Sequence, residues 1–124
     1  MFGSLIDQKA VVTGASSGIG RAIALEFARA GADVVVHANR SGEQAELVAA
    51  EVRGLGCAAR VLLADLSDPT QLVAFQRAAW EQFGAVDIWV NNAGADLLTG
   101  PAADWEYSKK LQRLLDVDVR SGVL

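Results

Sequence analysis

Apolar residues follow two alternating patterns along the chain: short runs that are apolar nearly throughout, and longer segments in which apolar positions recur at helical spacing. The runs, at residues 9–13, 33–38, 59–64 and 86–90, are rich in valine and do not alternate between apolar and polar. Parallel strands covered on both faces read this way. Three helices are predicted between them. Residues 19–29 carry Ile19, Ile23, Phe27 and then Ala30 at helical spacing and stop at Gly31. Residues 41–55 open with Ser41 and Gln44, a capping-box pair, and end against Gly54 and Gly56. In 68–83, Asp68 is the N-cap, Pro69 takes the first helical position, Gln71 completes a capping box and Gly84 is the stop.

Strand, helix and strand repeated in this way form a βαβ series, and right-handed crossovers make it an open α/β fold, a doubly wound parallel sheet; the order expected for a fold of this Rossmann type is 3-2-1-4. A fourth helix is predicted over residues 105–124, with Leu111, Leu114, Leu115, Val119 and Val123 on or near one face and Gly122 close to its end. No strand follows it, so residues 1–124 read as one incomplete dinucleotide-binding domain that stops inside an element, before a fifth strand. The fourth strand, with Ile88, Trp89 and Val90, is then expected to leave its outer edge unpaired and an apolar patch of roughly 500 Å² open to water. Such edges recruit other chains, so self-association is expected.

Composition narrows the class of partner. At 124 residues and 52 % hydrophobic, the chain is long enough for one buried core. A net charge of -4 with no basic run argues against nucleic acid and against an anionic membrane surface, and favours a small molecule. No apolar stretch approaches the ~18 residues of a membrane helix and the N-terminus lacks a basic start before an apolar stretch, so a cytoplasmic location is expected. Cys57 is alone, which leaves no disulfide framework and no metal-ligand spacing, and it reads as a small core residue.

The chemistry concentrates in "TGASSGIG", residues 13–20, where the first strand gives way to a helix. A helix N-terminus presents backbone N–H groups that bind a pyrophosphate if nothing blocks its approach. Gly14 permits the sharp turn, Gly18 lets phosphate and backbone close up, and Gly20 lets the helix pack on the sheet. Ser16 and Ser17 add hydroxyl donors beside Ile19. Cofactor choice is set at the end of the second strand, where an NAD site keeps an acid for the ribose 2′-hydroxyl. That window holds His37, Ala38, Asn39, Arg40 and Ser41, while Asp33 is at the wrong end of the strand and Glu43 lies inside the next helix. A guanidinium without a carboxylate suits a 2′-phosphate, so NADP is favoured over NAD. His37 reads as a strand-end residue with no partner nearby.

With the preceding Thr13, the spacing G-x-x-x-G-x-G resembles the short-chain dehydrogenase/reductase family. The likeness continues in "LLADLSD", which places Asp65 and Leu66 where that family holds the adenine ring. It reaches "NNAG", in which Asn91, Asn92, Ala93 and Gly94 follow the fourth strand, where the family lines the nicotinamide side of the cleft. Taken alone, two asparagines after a strand could be only a turn. The resemblance implies reduction of a small-molecule carbonyl, a ketone or 3-oxoacyl thioester, by hydride from NADPH, with proton donation from a tyrosine whose pKa is lowered by a lysine four residues on, and a serine to polarise the carbonyl. The only tyrosine, Tyr107, is followed at the fourth position by Leu111 and at the third by Lys110, and both polar residues read as exposed helix positions. The family's helix asparagine aligns with Asp118, which lacks the amide donor. Asp116 and Asp118, two apart on a helix, do not face one another as a pair of hydrolytic carboxylates would. The resemblance therefore implies a cofactor-binding half whose intact form is a homo-oligomer, inactive as 124 residues; the alternative is a non-catalytic dinucleotide-binding module or a half-fold that acts in an assembly.

Overall fold

A computed structural model describes residues 4–92 and the backbone of Asp116–Val119. Its elements run β1 (Lys9–Val12), α1 (Gly18–Arg29), β2 (Asp33–Ala38), α2 (Gly42–Gly54), β3 (Ala59–Leu63), α3 (Pro69–Phe83), β4 (Ile88–Asn91) and β5 (Asp116–Val119). The first four strands are parallel, as the hydrophobic pattern predicts, and lie in the order β3-β2-β1-β4 expected of a doubly wound sheet of this type. Side chains along a strand alternate between faces, so a strand buried on both sides must be apolar at every position. Ala10, Val12, Val34 and Val36 pack with Ala24 and Phe27 of α1 and Val48 and Val52 of α2. On the other face, Val11 and Val35 pack with Phe75 and Ala79 of α3. The sheet is thus the middle of three layers. No helix among the described residues is long and apolar enough to cross a membrane.

Two expectations are corrected at the far end of the sheet. Asp116–Val119, predicted inside a helix, forms β5 and pairs antiparallel with β4, with Ile88 opposite Val119, Trp89 opposite Asp118 and Val90 opposite Val117. The rest of the predicted last helix lies outside the described residues. An open strand edge is a template for any segment that can supply a ladder, and "DVDV" alternates with the two-residue period of a strand inside the longer helical pattern. The outer edge of β4 is therefore covered, and Ile88 and Val90 are buried instead of exposed.

Helix caps fall where the sequence puts them, with two exceptions in chemistry. Asp68 accepts from the N–H groups of Thr70 (2.9 Å) and Gln71 (3.4 Å), and Gly84 ends α3 in the left-handed conformation at φ 77°. Its capping box is rewired: the Asp68 N–H donates to the Asp65 carbonyl (3.1 Å), and the Gln71 side chain instead accepts from the Asp65 N–H (2.8 Å). Ser41 occupies the N-cap of α2 but makes no side-chain capping bond. Its backbone, at φ -81° and ψ 62°, departs from the extended geometry that aims a capping oxygen at the helix.

Charges tie down the opposite, amino-terminal end of the strands. Lys9 Nζ lies 2.6 Å from Asp33 Oδ2, Asp33 Oδ1 accepts the Ala58 N–H (2.8 Å), and Asp87 accepts the Lys9 N–H (2.8 Å). Burial pushes the Asp33 carboxyl up, but the Lys9 and Ala58 hydrogen bonds and the charges of Lys9 and Arg60 outweigh it and hold the group below its ordinary pKa. A depressed carboxylate contributes stability that is present above the unfolded value of about 3.9 and is lost as pH falls through the folded value. Asp33→Asn is thus expected to lower the melting temperature at neutral pH, with the gap to the parent closing below about pH 4. A gap of constant size across an acid titration of Tm would show that the charge contributes nothing.

Candidate functional site

The order β3-β2-β1-β4 means that the chain steps outward in one direction through β2 and β3, then returns to the other side of β1. Open α/β sheets bind ligands at the carboxyl ends of the strands where the order reverses, here between β1 and β4. The glycine turn leaves β1 at this point, and Asn91 and Asn92 end β4 beside it.

Gly14 and Gly18 adopt φ values of 60° and 59°, a left-handed backbone that side chains rarely take, and so the turn requires glycine at both. A Cβ on Gly18 would meet no atom within 4 Å, which leaves open space over the turn. The amides of Ser16, Ser17, Gly18, Ile19 and Gly20 make no hydrogen bond among the described residues, and Ser17, Gly18 and Ile19 are exposed. The Ser17 side chain does not cap α1, and its hydroxyl makes no hydrogen bond among the described residues. Free donors, a helix N-terminus and clear space are what an anionic pyrophosphate needs, and the residues present fit that group.

Gly20 plays the close-packing role predicted for it. A Cβ there would lie 2.1 Å from the Gly14 carbonyl oxygen and 2.5 Å from Asn92 Nδ2. Around this contact runs a small buried network. Thr13 donates its N–H to the Val90 carbonyl (3.0 Å), as does its hydroxyl (3.3 Å), and that hydroxyl accepts the Asn92 N–H (2.7 Å). Asn92 Nδ2 donates to the Gly14 carbonyl (3.2 Å). Thr13 and Asn92 are both buried, so their polar groups had to be paired, and they are. Asn92 therefore clasps the glycine turn to the end of β4, which a reading of the pair as a plain turn would not supply. Asn91 is exposed and accepts from Trp89 Nε1 (2.8 Å). Ala93, Gly94, Tyr107 and Lys110 lie outside the described residues, and of Asp118 the backbone alone is described, in β5 and not on the predicted helix.

At the ends of β2 and β3 the remaining candidates come together. Asn39, Arg40 and Ser41 are exposed in the link to α2, and the Arg40 guanidinium makes no hydrogen bond or ion pair among the described residues. Asp65 follows β3, and its carboxylate accepts from Ser67 N–H (3.0 Å) and Oγ (2.6 Å). Those Ser67 bonds, helped by the charge of Arg40, hold the Asp65 carboxyl below its ordinary pKa, so the group is ionised at neutral pH. Leu66 beside it is half-buried. No cluster of metal-ligating side chains occurs among the described residues.

One residue is placed differently from its expectation. His37 does have partners: Nδ1 accepts the Gly14 N–H (2.9 Å), Nε2 lies 2.9 Å from the Ala64 carbonyl, and the Phe75 ring packs at 4.8 Å. An imidazole inside the otherwise apolar "VVVHA" was the signal, since a buried polar group has to be satisfied by something. Sequence could not say by what.

Comparison with known proteins agrees with this geometry. Residues 8–124 match the short chain dehydrogenase family. Short-chain dehydrogenase/reductase FrzI of a Cladobotryum species is 48% identical over 94 residues, 73% of this chain and 35% of its own length. The 3-oxoacyl-[acyl-carrier-protein] reductase FabG of Staphylococcus aureus is 41% identical over 87 residues, 70% of this chain and again 35% of its own length. A short chain dehydrogenase from Burkholderia cenocepacia, solved in complex with NADP, superposes with a TM-score of 0.72 at 39% identity, covering 84% of this chain and 42% of that one. The chain thus spans about a third of the length of these curated relatives. With the family match over residues 8–124 and relatives this similar in sequence and fold, the chain belongs to the short-chain dehydrogenase family.

Proposed function

We propose that these residues form the cofactor-binding part of an NADP-dependent oxidoreductase that reduces a ketone or 3-oxoacyl thioester. The observation that carries the cofactor choice is Arg40, an exposed guanidinium without an ion-pair partner among the described residues, at the end of β2 where no carboxylate stands. A carboxylate at this place would hydrogen-bond a ribose 2′-hydroxyl and repel a 2′-phosphate; a guanidinium grips phosphate through paired donors. When bound, a nicotinamide dinucleotide would supply the hydride for this reduction. The chain's own residues orient it: the free amides of 16–20 receive the pyrophosphate, the Asp65–Leu66 segment flanks the adenine side, and the Asn91–Asn92 end of β4 lies toward the nicotinamide side. The NADP-bound neighbour and the FabG relative support this reading. The proton donor is not among these groups, because Tyr107 has Leu111 and not lysine at the fourth following position.

Replacing Arg40 separates the two cofactors. Arg40→Ala is expected to weaken NADPH binding by about ten- to a hundredfold, the value of one or two charge-assisted hydrogen bonds, while NADH binding changes by less than about threefold. Titration calorimetry with both nucleotides reads this directly. Equal losses for NADPH and NADH would overturn the assignment.

A further inference from the structure

His37 is the one titratable side chain among the described residues that is fully buried, at 2% exposure. It stands near the end of β2, opposite Leu62 of β3, and reaches both neighbouring strands' exits at once. Its two ring contacts fix one chemical form. A carbonyl can only accept, so Nε2 carries the hydrogen that goes to Ala64; the Gly14 N–H can only donate, so Nδ1 must keep its lone pair. That is the neutral imidazole in a single tautomer. The main chain of the same residue acts in concert, since the His37 carbonyl accepts the Ala15 N–H at 2.8 Å. Two consecutive amides of the turn, those of Gly14 and Ala15, are thus held by His37, and those from Ser16 to Gly20 make no hydrogen bond among the described residues.

We propose that His37 is a positioning residue for the dinucleotide: its imidazole pins the Gly14 N–H, and so sets the turn whose remaining amides receive the pyrophosphate. The proposal rests on the reading of the glycine turn as a dinucleotide site. A second proton would place a donor at Nδ1 against the Gly14 N–H, donor facing donor, and the pin would become a repulsion. Burial already pushes the ring pKa below its ordinary value, against a smaller upward pull from the Ala64 carbonyl, so the neutral form prevails at neutral pH. The ionisable groups on the elements packed around the ring are Lys9 on β1, Asp33 on β2 and Arg40 beyond it, Arg60 on β3 and Asp65 beyond it, and Asp68, Arg77 and Glu81 at the cap and along α3; none hydrogen-bonds to the ring, and Lys9 and Asp33 pair at the opposite end of their strands. The contribution is therefore present above the unfolded pKa of about 6.5 and lost as pH falls through the lower folded value.

Two variants test this. In His37→Asn, the amide oxygen can accept the Gly14 N–H but cannot titrate; His37→Leu removes the acceptor. NADPH binding is measured from about pH 8 down to pH 5, with Tm recorded at each point to confirm folding. The 2′-phosphate titrates near pH 6 as well, so the readout is the difference between parent and variant. The parent should lose about tenfold more affinity on acidification than His37→Asn, which should bind within about threefold of the parent at neutral pH, and His37→Leu should bind about tenfold more weakly at neutral pH while still folded. A pH profile shared by the parent and His37→Asn, or a folded His37→Leu that binds as the parent does, overturns the role of His37 and leaves the dinucleotide site standing. A folded parent that binds no dinucleotide at neutral pH overturns both.

Discussion

Gly20→Ala is expected to destabilise the protein by about 3 kcal/mol or more and to abolish measurable dinucleotide binding. Two effects oppose each other at this position. Alanine is the better helix former, by about 1 kcal/mol in a helix interior. Against that, the added carbon would lie 2.1 Å from the Gly14 carbonyl oxygen and 2.8 Å from its carbon, both main-chain atoms that cannot rotate away, and 2.5 Å from Asn92 Nδ2. Relief requires α1 to move away from the Gly14 turn or Asn92 to give up its place on the Gly14 carbonyl, and the first displaces the amides offered to the pyrophosphate. The steric term wins because it is backbone against backbone. Gly54→Ala at the end of α2 is the control, since a Cβ there meets nothing within 4 Å, and it should leave stability unchanged or slightly raised. Thermal melts and nucleotide titrations of the two variants side by side provide the check. A Gly20→Ala protein as stable as Gly54→Ala would show that α1 and β1 are not in this close contact.

The contrast between these two glycines shows what the sequence carries and what it does not. That residues 13–20 form a strand-to-helix turn was legible, because an apolar run, three glycines and a helical period are local properties. The four parallel strands were legible for the same reason: Val34, Val35 and Val36 are buried on both faces, and a doubly covered strand cannot contain a polar alternation. Which groups meet across strands was not. Asn92 and Gly14 are 78 positions apart in sequence, and their bond exists only because β4 lies beside β1. The same holds for His37, whose partners belong to the ends of β1 and β3 and whose own neighbours in sequence say nothing about them. Ser41 fails as a cap through a local torsion that residue type does not determine. At β5, two periods are written over one another, leucines at helical spacing and "DVDV" at strand spacing, and pairing with the β4 edge decides in favour of the strand.

Phe75→Ala is expected to cost about 3–5 kcal/mol, a large share of the roughly 5–15 kcal/mol by which domains are stable. The three layers are unequal. The face of the sheet under α1 and α2 is built from many residues, Ala24, Leu25, Phe27, Ala45, Val48, Ala49 and Val52 among them, so the packing there is shared more widely. On the face under α3, Phe75 is the large buried residue among Val11, Val35, Ala64, Ala79 and Val86. It meets Trp89 edge-on at 5.7 Å and His37 at 4.8 Å, so it joins α3 to β4 and β2 together. Its removal would open the core to the groove lined by Leu62, Ala64, Gln71, Ala74 and Ala78 and would let water reach the His37 ring. The burial that disfavours the imidazolium would then weaken, and the ring would protonate at a higher pH than in the parent. Phe75→Ala should therefore combine a lower denaturant midpoint with a His37 ring titration, followed by NMR, shifted toward neutrality. Val73→Ala, at an exposed position on the same helix, should show neither. If Phe75→Ala loses less than about 1 kcal/mol, α3 is held to the sheet by something other than this ring, and the small core is not the weak side of the fold.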